Sequence, residues 1–246
     1  MEVCANGLTS AVAAQQGGAI RVELCDNLLE GGTTPSYAQI KLAREKLHIQ
    51  LYPIIRPRGG DFLYSNLEFE LMKNDILLCK SLGCDGVVIG ILLADGRVDK
   101  QRCAILVDLA RPMKVTFHRA FDRSRDLKEA LADVIDLGCE RILTSGGKLS
   151  ALEGAAVLKE LIALAAGRIE IMPGAGIREH NIKEIINITG ATVFHATAKS
   201  AALTGMSYVN VALDQAATGD ESSYELTTAA AVRRLIEKAN DPHKLI

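Results

Sequence analysis

The amino-acid sequence predicts a (β/α)8 (TIM) barrel, in which eight parallel strands, each followed by a helix, close into a cylinder. Short β-branched runs alternate with longer amphipathic runs along the whole chain, and eight such pairs can be counted. The length of 246 residues matches the roughly 250 typical of this barrel. No long linker or low-complexity tract divides the chain, so residues 1–246 are read as a single domain.

Strands are expected near 1–5, 20–25, 50–56, 86–91, 114–119, 140–145, 168–173 and 192–197. Helices are expected near 7–17, 35–46, 68–82, 99–110, 126–137, 149–166, 178–189 and 227–239. Thr34 is placed to cap the second helix, with Pro35 at its first position. Gly17 and Gly18 suit the end of the first helix, and Gly83 and Gly138 end later ones. Residues 199–226, rich in Ala, Thr, Ser and Gly, interrupt the period and read as a lid or an oligomer contact. An open, doubly wound sheet is the structural rival. It would bring a GxGxxG turn after the first strand, where this chain reads Ala5-Asn6-Gly7-Leu8.

Composition narrows the function. Hydrophobic residues make up 48% of the chain and aromatics 4%, with no Trp, so the core rests on Leu, Ile, Val and Ala. A net charge of -2 with scattered basic residues provides no field for nucleic acid or an anionic membrane. Met1 leads directly into Glu2-Val3-Cys4 without a basic and then apolar leader, so no signal peptide is expected. The longest apolar run, Val87 to Ala94, is too short to span a bilayer. A cytoplasmic protein is expected, with the nucleus as an alternative. The six cysteines contain no CxxC pair, which argues against structural zinc. Cys79, Cys84, Cys103 and Cys139 read as small core hydrophobes.

Strand parity gathers the polar residues. If Val3, Val22, Leu24, Val115, Phe117, Ile169 and Ile171 face the helices, then Glu2, Cys4, Glu23, Cys25, Thr116, His118 and Met172 face the interior. Tyr52, Ile54, Arg56 and Arg58 share one side, and His195 and Thr197 turn inward. Glu23 and Arg56 lie on neighbouring strands and are expected to pair, either as packing or as the floor of a polar pocket. The pocket reading makes Glu23, Arg56 and His118 candidate catalytic residues. Arg58 then joins the glycine turns at Ser145-Gly146 and Gly174-Ala175-Gly176 as candidate anion-binding groups. Each turn is expected to open a helix, with Lys199 and Ser200 nearby.

The ordered segments Glu2-Val3-Cys4, Arg21-Val22-Glu23-Leu24-Cys25 and Glu30-Gly31-Gly32-Thr33-Thr34-Pro35-Ser36 resemble the copper homeostasis protein CutC family. So do Ile55-Arg56-Pro57-Arg58-Gly59-Gly60-Asp61-Phe62, Val115-Thr116-Phe117-His118-Arg119-Ala120-Phe121-Asp122, Leu143-Thr144-Ser145-Gly146 and Met172-Pro173-Gly174-Ala175-Gly176-Ile177. The resemblance runs from Met1 almost to the end, with animal members the nearest. It implies a (β/α)8 barrel, an intracellular location, self-association as a homo-oligomer and a role in copper handling. It also implies Cu(I) as the cofactor, held by Cys4 and Cys25, which match two cysteines put forward as ligands in the family. The eighth strand departs from the pattern, with His195-Ala196-Thr197-Ala198 where members often carry small hydroxyl or thiol residues. Two further readings stand beside copper: an enzyme acting on a small anionic or phosphorylated metabolite, and a scaffold whose interior charges only pack.

Overall fold

The computed structural model describes residues 1–208 and 223–241. The barrel strands are β1 Glu2–Asn6, β2 Arg21–Cys25, β3 Gln50–Pro53, β4 Gly86–Ile89, β5 Lys114–Phe117, β6 Arg141–Thr144, β7 Glu170–Pro173 and β8 His195–Ala196. The helices between them are α1 Leu8–Gln16, α2 Tyr37–Lys46, α3 Asn66–Ser81, α4 Lys100–Ala110, α5 Leu127–Asp136, α6 Ala155–Ala165 and α7 Ile182–Thr189. A ribbon of β9 Lys199–Leu203 and β10 Ser223–Thr227 precedes the last helix, α8 Ala229–Asn240.

Two parallel four-stranded sheets, ordered β3-β2-β1-β8 and β4-β5-β6-β7, follow one another around the cylinder. A parallel bridge between Ile54 and Val88 joins β3 to β4, and the Ile55 N–H donates to the Val88 carbonyl at 2.8 Å. At the opposite seam Gly174 lies against His195, where a Cβ would stand 3.4 Å from the histidine's own.

The expected alternation is present. Val3, Val22, Leu24, Val115, Phe117, Ile169 and Ile171 pack in the core between strands and helices. Cys4, Cys25, Tyr52, Ile54 and Val88 form a separate cluster inside the barrel. The lower interior, at the amino ends of the strands, is filled by paired charges. Glu2 pairs with Arg21, and Arg21 Nη1 donates to Gln50 at 3.1 Å. Arg141 pairs with Glu140 at 2.7 Å and Glu170 at 2.6 Å. Buried charges must be compensated in this way, since an uncompensated one costs several kcal/mol, about 3–5.

Several boundaries differ from expectation. Ser36, not Thr34, caps α2, accepting from the Gln39 N–H at 3.3 Å. The Thr34 hydroxyl instead accepts the Arg56 N–H at 2.9 Å and ties two loops together. α6 and α7 begin later than 149 and 178, so neither glycine turn opens a helix directly. Residues after Ser145 first fold back so tightly that a Cβ on Gly154 would collide with the Ser145 carbonyl. Within the 199–226 excursion the flanks form the antiparallel β9–β10 ribbon, and 209–222 lie outside the described residues. Among the described residues no helix is long and apolar enough to cross a membrane. Cys79, Cys84, Cys103 and Cys139 are buried in the outer core, where burial pushes the Cys139 thiol up to about 12.

Candidate functional site

A cavity of about 500 Å³ opens at the carboxyl end of the strands, the end where barrel sites are built. Cys4 of β1, Glu23 of β2, Arg56 after β3, His118 after β5 and His195 of β8 all line it. Its charge is lopsided. Arg56, Arg119, Arg123, Arg178 and Lys199 contribute five cations, against the carboxylates of Glu23 and Glu30.

The thiol corner comes from register. Cys4 lies directly opposite Glu23 across the β1–β2 pair, and Cys25 one inward step further along β2. The Cys4 and Cys25 sulfurs approach to 3.6 Å, both buried and both free thiols. Cys4 alone of the pair faces the cavity. On its other side, ligand atoms of Cys4, Glu23 and His195 lie within 4.8 Å of one another. The hydrogen bond to Cys25, burial and the nearby Glu23 carboxyl push the Cys4 thiol far above its ordinary value.

His195 links this corner to the paired charges below. Its Nδ1 meets Glu2 at 2.6 Å and its Nε2 lies 3.4 Å from Glu23. Burial opposes charge on the imidazole, but Glu23 and Glu2 outweigh it and hold the group above its ordinary value. Burial likewise works against the Glu2 carboxylate, yet His195 and Arg21 bring it down to about 2. For Glu23, burial outweighs the pull of His195 and raises the carboxyl.

The expected Glu23–Arg56 pair does not form. Glu23 turns to His195, and one of its oxygens, Oε1, is buried without a partner. The Arg56 guanidinium is committed to main chain: Nη1 donates to the Glu30 and Gly32 carbonyls, both at 2.7 Å, and Nη2 to Gly60 at 2.9 Å. It therefore braces the loops after β2 and β3, stacked 5.0 Å from the Phe62 centroid.

Arg58 leaves the cavity altogether. β3 ends at Pro53, so strand alternation no longer governs residue 58. The side chain pairs with Glu68 at 2.6 Å and Asp61 at 3.0 Å, on the outside near the start of α3.

The Ser145-Gly146 turn is already filled by an internal anion. The Asp122 carboxylate accepts from the Ser145 N–H at 3.0 Å, the Gly147 N–H at 2.9 Å, the Thr144 hydroxyl at 2.5 Å and Arg119 Nε at 2.7 Å. Gly174 is buried against Leu143 and His195, whereas Gly176 does line the cavity.

His118 is held at Nδ1 and by packing against its ring. Its Nδ1 accepts the Ala120 N–H at 3.1 Å, Phe62 packs at a centroid distance of 5.0 Å, and Gly90 lies beneath the ring. A Cβ on Gly90 would stand 2.4 Å from His118 Cε1, so glycine is required there. Burial, reinforced by the Arg56 charge, brings the imidazole down to about 3.

Sequence reasoning left out Glu2 as the partner of His195, and Arg119, Arg123 and Arg178 as cavity residues. Glu2 was recoverable from its inward parity. Nothing in the sequence distinguishes the three arginines from solvated charges.

The CutC family model matches residues 1–200. A CutC family protein of Chromobacterium violaceum is 53% identical, covering 96% of each chain. The mouse protein named copper homeostasis protein cutC homolog is 49% identical over 98% of this chain and 89% of its own. The sequence reading expected animal members to be nearest, but the bacterial relative is at least as similar as the mouse one. The solved structure of CutC from Streptococcus agalactiae superposes with a TM-score of 0.76 at 38% identity, covering 80% of this chain and 97% of that one.

Proposed function

Because the chain belongs to the CutC family, we propose that it serves copper homeostasis by holding Cu(I) between Cys4 and Cys25. The observation that carries this reading is the 3.6 Å approach of the two sulfurs across β1 and β2. Thiolates are soft ligands suited to Cu(I). One ion can reach both sulfurs without a change in strand register. Glu23 and His195, clustered with Cys4, offer further donors on its cavity side. Thiols must lose protons to ligate, so affinity rises with pH. The copper name of the mouse and human relatives supports the same reading.

The test is anaerobic titration with Cu(I) against a competing chelator. One tightly held ion per chain is expected, lost in the Cys4→Ala, Cys25→Ala double variant. Unchanged stoichiometry and affinity in that variant eliminate the site. Cytoplasmic residence and self-association belong to the same reading, and light scattering of the purified chain checks the second.

A further inference from the structure

Away from the thiols, the cavity wall after β5 and β7 holds one buried donor without an acceptor and two exposed cations without a direct ion pair. The Ala120 N–H donates to His118 Nδ1, so the neutral ring carries its hydrogen on Nε2. That Nε2 has no acceptor, although the residue is only 3% exposed and lines the cavity. Buried donors are almost always satisfied, so this one is open to a partner that enters the cavity. Arg123 and Arg178 line the same cavity; neither guanidinium makes a direct hydrogen bond or ion pair among the described residues, and Arg178 feels the Glu225 carboxylate only at longer range. The other cations differ: Arg119 is engaged by Asp122, Lys199 by Glu225, and Arg56 by carbonyls. Phe62, Leu143 and Ile177 supply apolar wall between the polar groups.

We propose that this side of the mouth binds a small organic anion: Arg123 and Arg178 take its phosphate or carboxylate, and His118 Nε2–H donates to a carbonyl or hydroxyl oxygen on its body. An arginine fork matches either oxyanion. The cavity volume falls in the range that holds small metabolites, and apolar wall favours an organic body over a bare ion. The pinned imidazole is a donor set in place before the ligand arrives, which lowers the cost of binding. Burial and Arg56 keep it neutral, so it donates one hydrogen rather than acting as another cation. The glycine nest after β6 does not compete for the anion, because Asp122 fills it. The site uses neither cysteine and neither Glu23 nor His195, so it stands or falls separately from copper binding.

The test is calorimetry and thermal shift on the copper-free full chain. The probes are dihydroxyacetone phosphate, pyruvate, inorganic phosphate and neutral dihydroxyacetone. At least one of the two organic anions binds, more tightly than inorganic phosphate, and the neutral ketone does not. Which organic anion binds identifies the charged group. The Arg123→Ala, Arg178→Ala double variant loses affinity about tenfold or more, while its ligand-free melting temperature changes little because both side chains are exposed and Arg178 reaches Glu225 only at longer range. The ¹⁵N resonance of His118 Nε2 moves on binding, a readout that needs no His118 variant. No binding by either organic anion, equal binding by the double variant, equal binding of bare phosphate, or an unmoved Nε2 resonance each overturns the proposal.

Discussion

The neutral state of His118 has a consequence for stability that can be worked through. An unfolded histidine takes up its proton near pH 6.5, whereas the folded protein holds His118 unprotonated down to about 3. Between those values the unfolded chain binds the proton and the folded chain does not. The contribution is therefore intact above 6.5 and is lost progressively as the pH falls toward 3. Each pH unit in that window costs about 1.4 kcal/mol, so at about pH 5 the loss is about 2 kcal/mol. With a urea dependence of about 3 kcal/mol per M for a chain this size, that lowers the unfolding midpoint by roughly 0.7 M. The His118→Gln variant keeps an acceptor for the Ala120 N–H but cannot titrate. Urea unfolding of both proteins at about pH 7 and about pH 5 isolates the term, since other groups cancel in the difference. His195, whose raised value contributes stability below 6.5 that is lost as pH rises through the folded value, is present in both proteins and cancels in the comparison. Equal pH dependence in the two proteins, or an imidazole of His118 titrating near 6.5 by NMR, refutes the reasoning.

Glu2→Ala removes the carboxylate between Arg21 and His195 and leaves the buried Arg21 guanidinium without its counter-charge. A destabilisation of about 3–5 kcal/mol is expected in urea unfolding, and a loss below about 1 kcal/mol contradicts the pairing. Asp122→Ala empties the nest after β6 and removes charge-assisted bonds from Thr144, Ser145, Gly147 and Arg119. The cost is about 3 kcal/mol, and added formate or acetate restores part of it, seen as a rise in melting temperature absent from the parent. A variant that formate does not stabilise shows that the nest is not anion-selective.

How far the sequence reaches is set by what each signal depends on. Alternation depends only on the two-residue period of a strand, so the inward set of Glu2, Cys4, Glu23 and Cys25 is legible while the chain stays in a strand. It fails one step beyond. Past Pro53 the chain bends, and Arg58, which shares parity with Arg56, leaves for Glu68 on the outer side. Glycine turns are legible as turns but not as ligand sites. Whether the N–H groups at Ser145 and Gly147 are free depends on where the loop after β5 delivers Asp122, a tertiary fact. The Glu23–Arg56 expectation failed for a related reason. Three carbonyls meeting at one guanidinium satisfied Arg56 without a carboxylate, and only the folded loops reveal that convergence.

The two ends of the barrel treat buried polarity in opposite ways, and that contrast bears on both functional readings. At the lower end Glu2, Arg21, Glu140, Arg141 and Glu170 neutralise one another in direct ion pairs. At the upper end Glu23 Oε1, Arg56 Nε and His118 Nε2 are buried without partners. Polar atoms in such positions are ordinarily satisfied by water or a ligand in the cavity they border. The lower end is satisfied by packing alone, and the upper end is where both proposals place a ligand. The upper groups also divide by position. The thiols and Glu23 gather on β1 and β2, beside His195, whereas His118, Arg123 and Arg178 follow β5 and β7. The proposed soft-metal corner and the proposed anion-binding wall can thus occupy one cavity without sharing a residue, so substitutions that remove one leave the other measurable in the same chain.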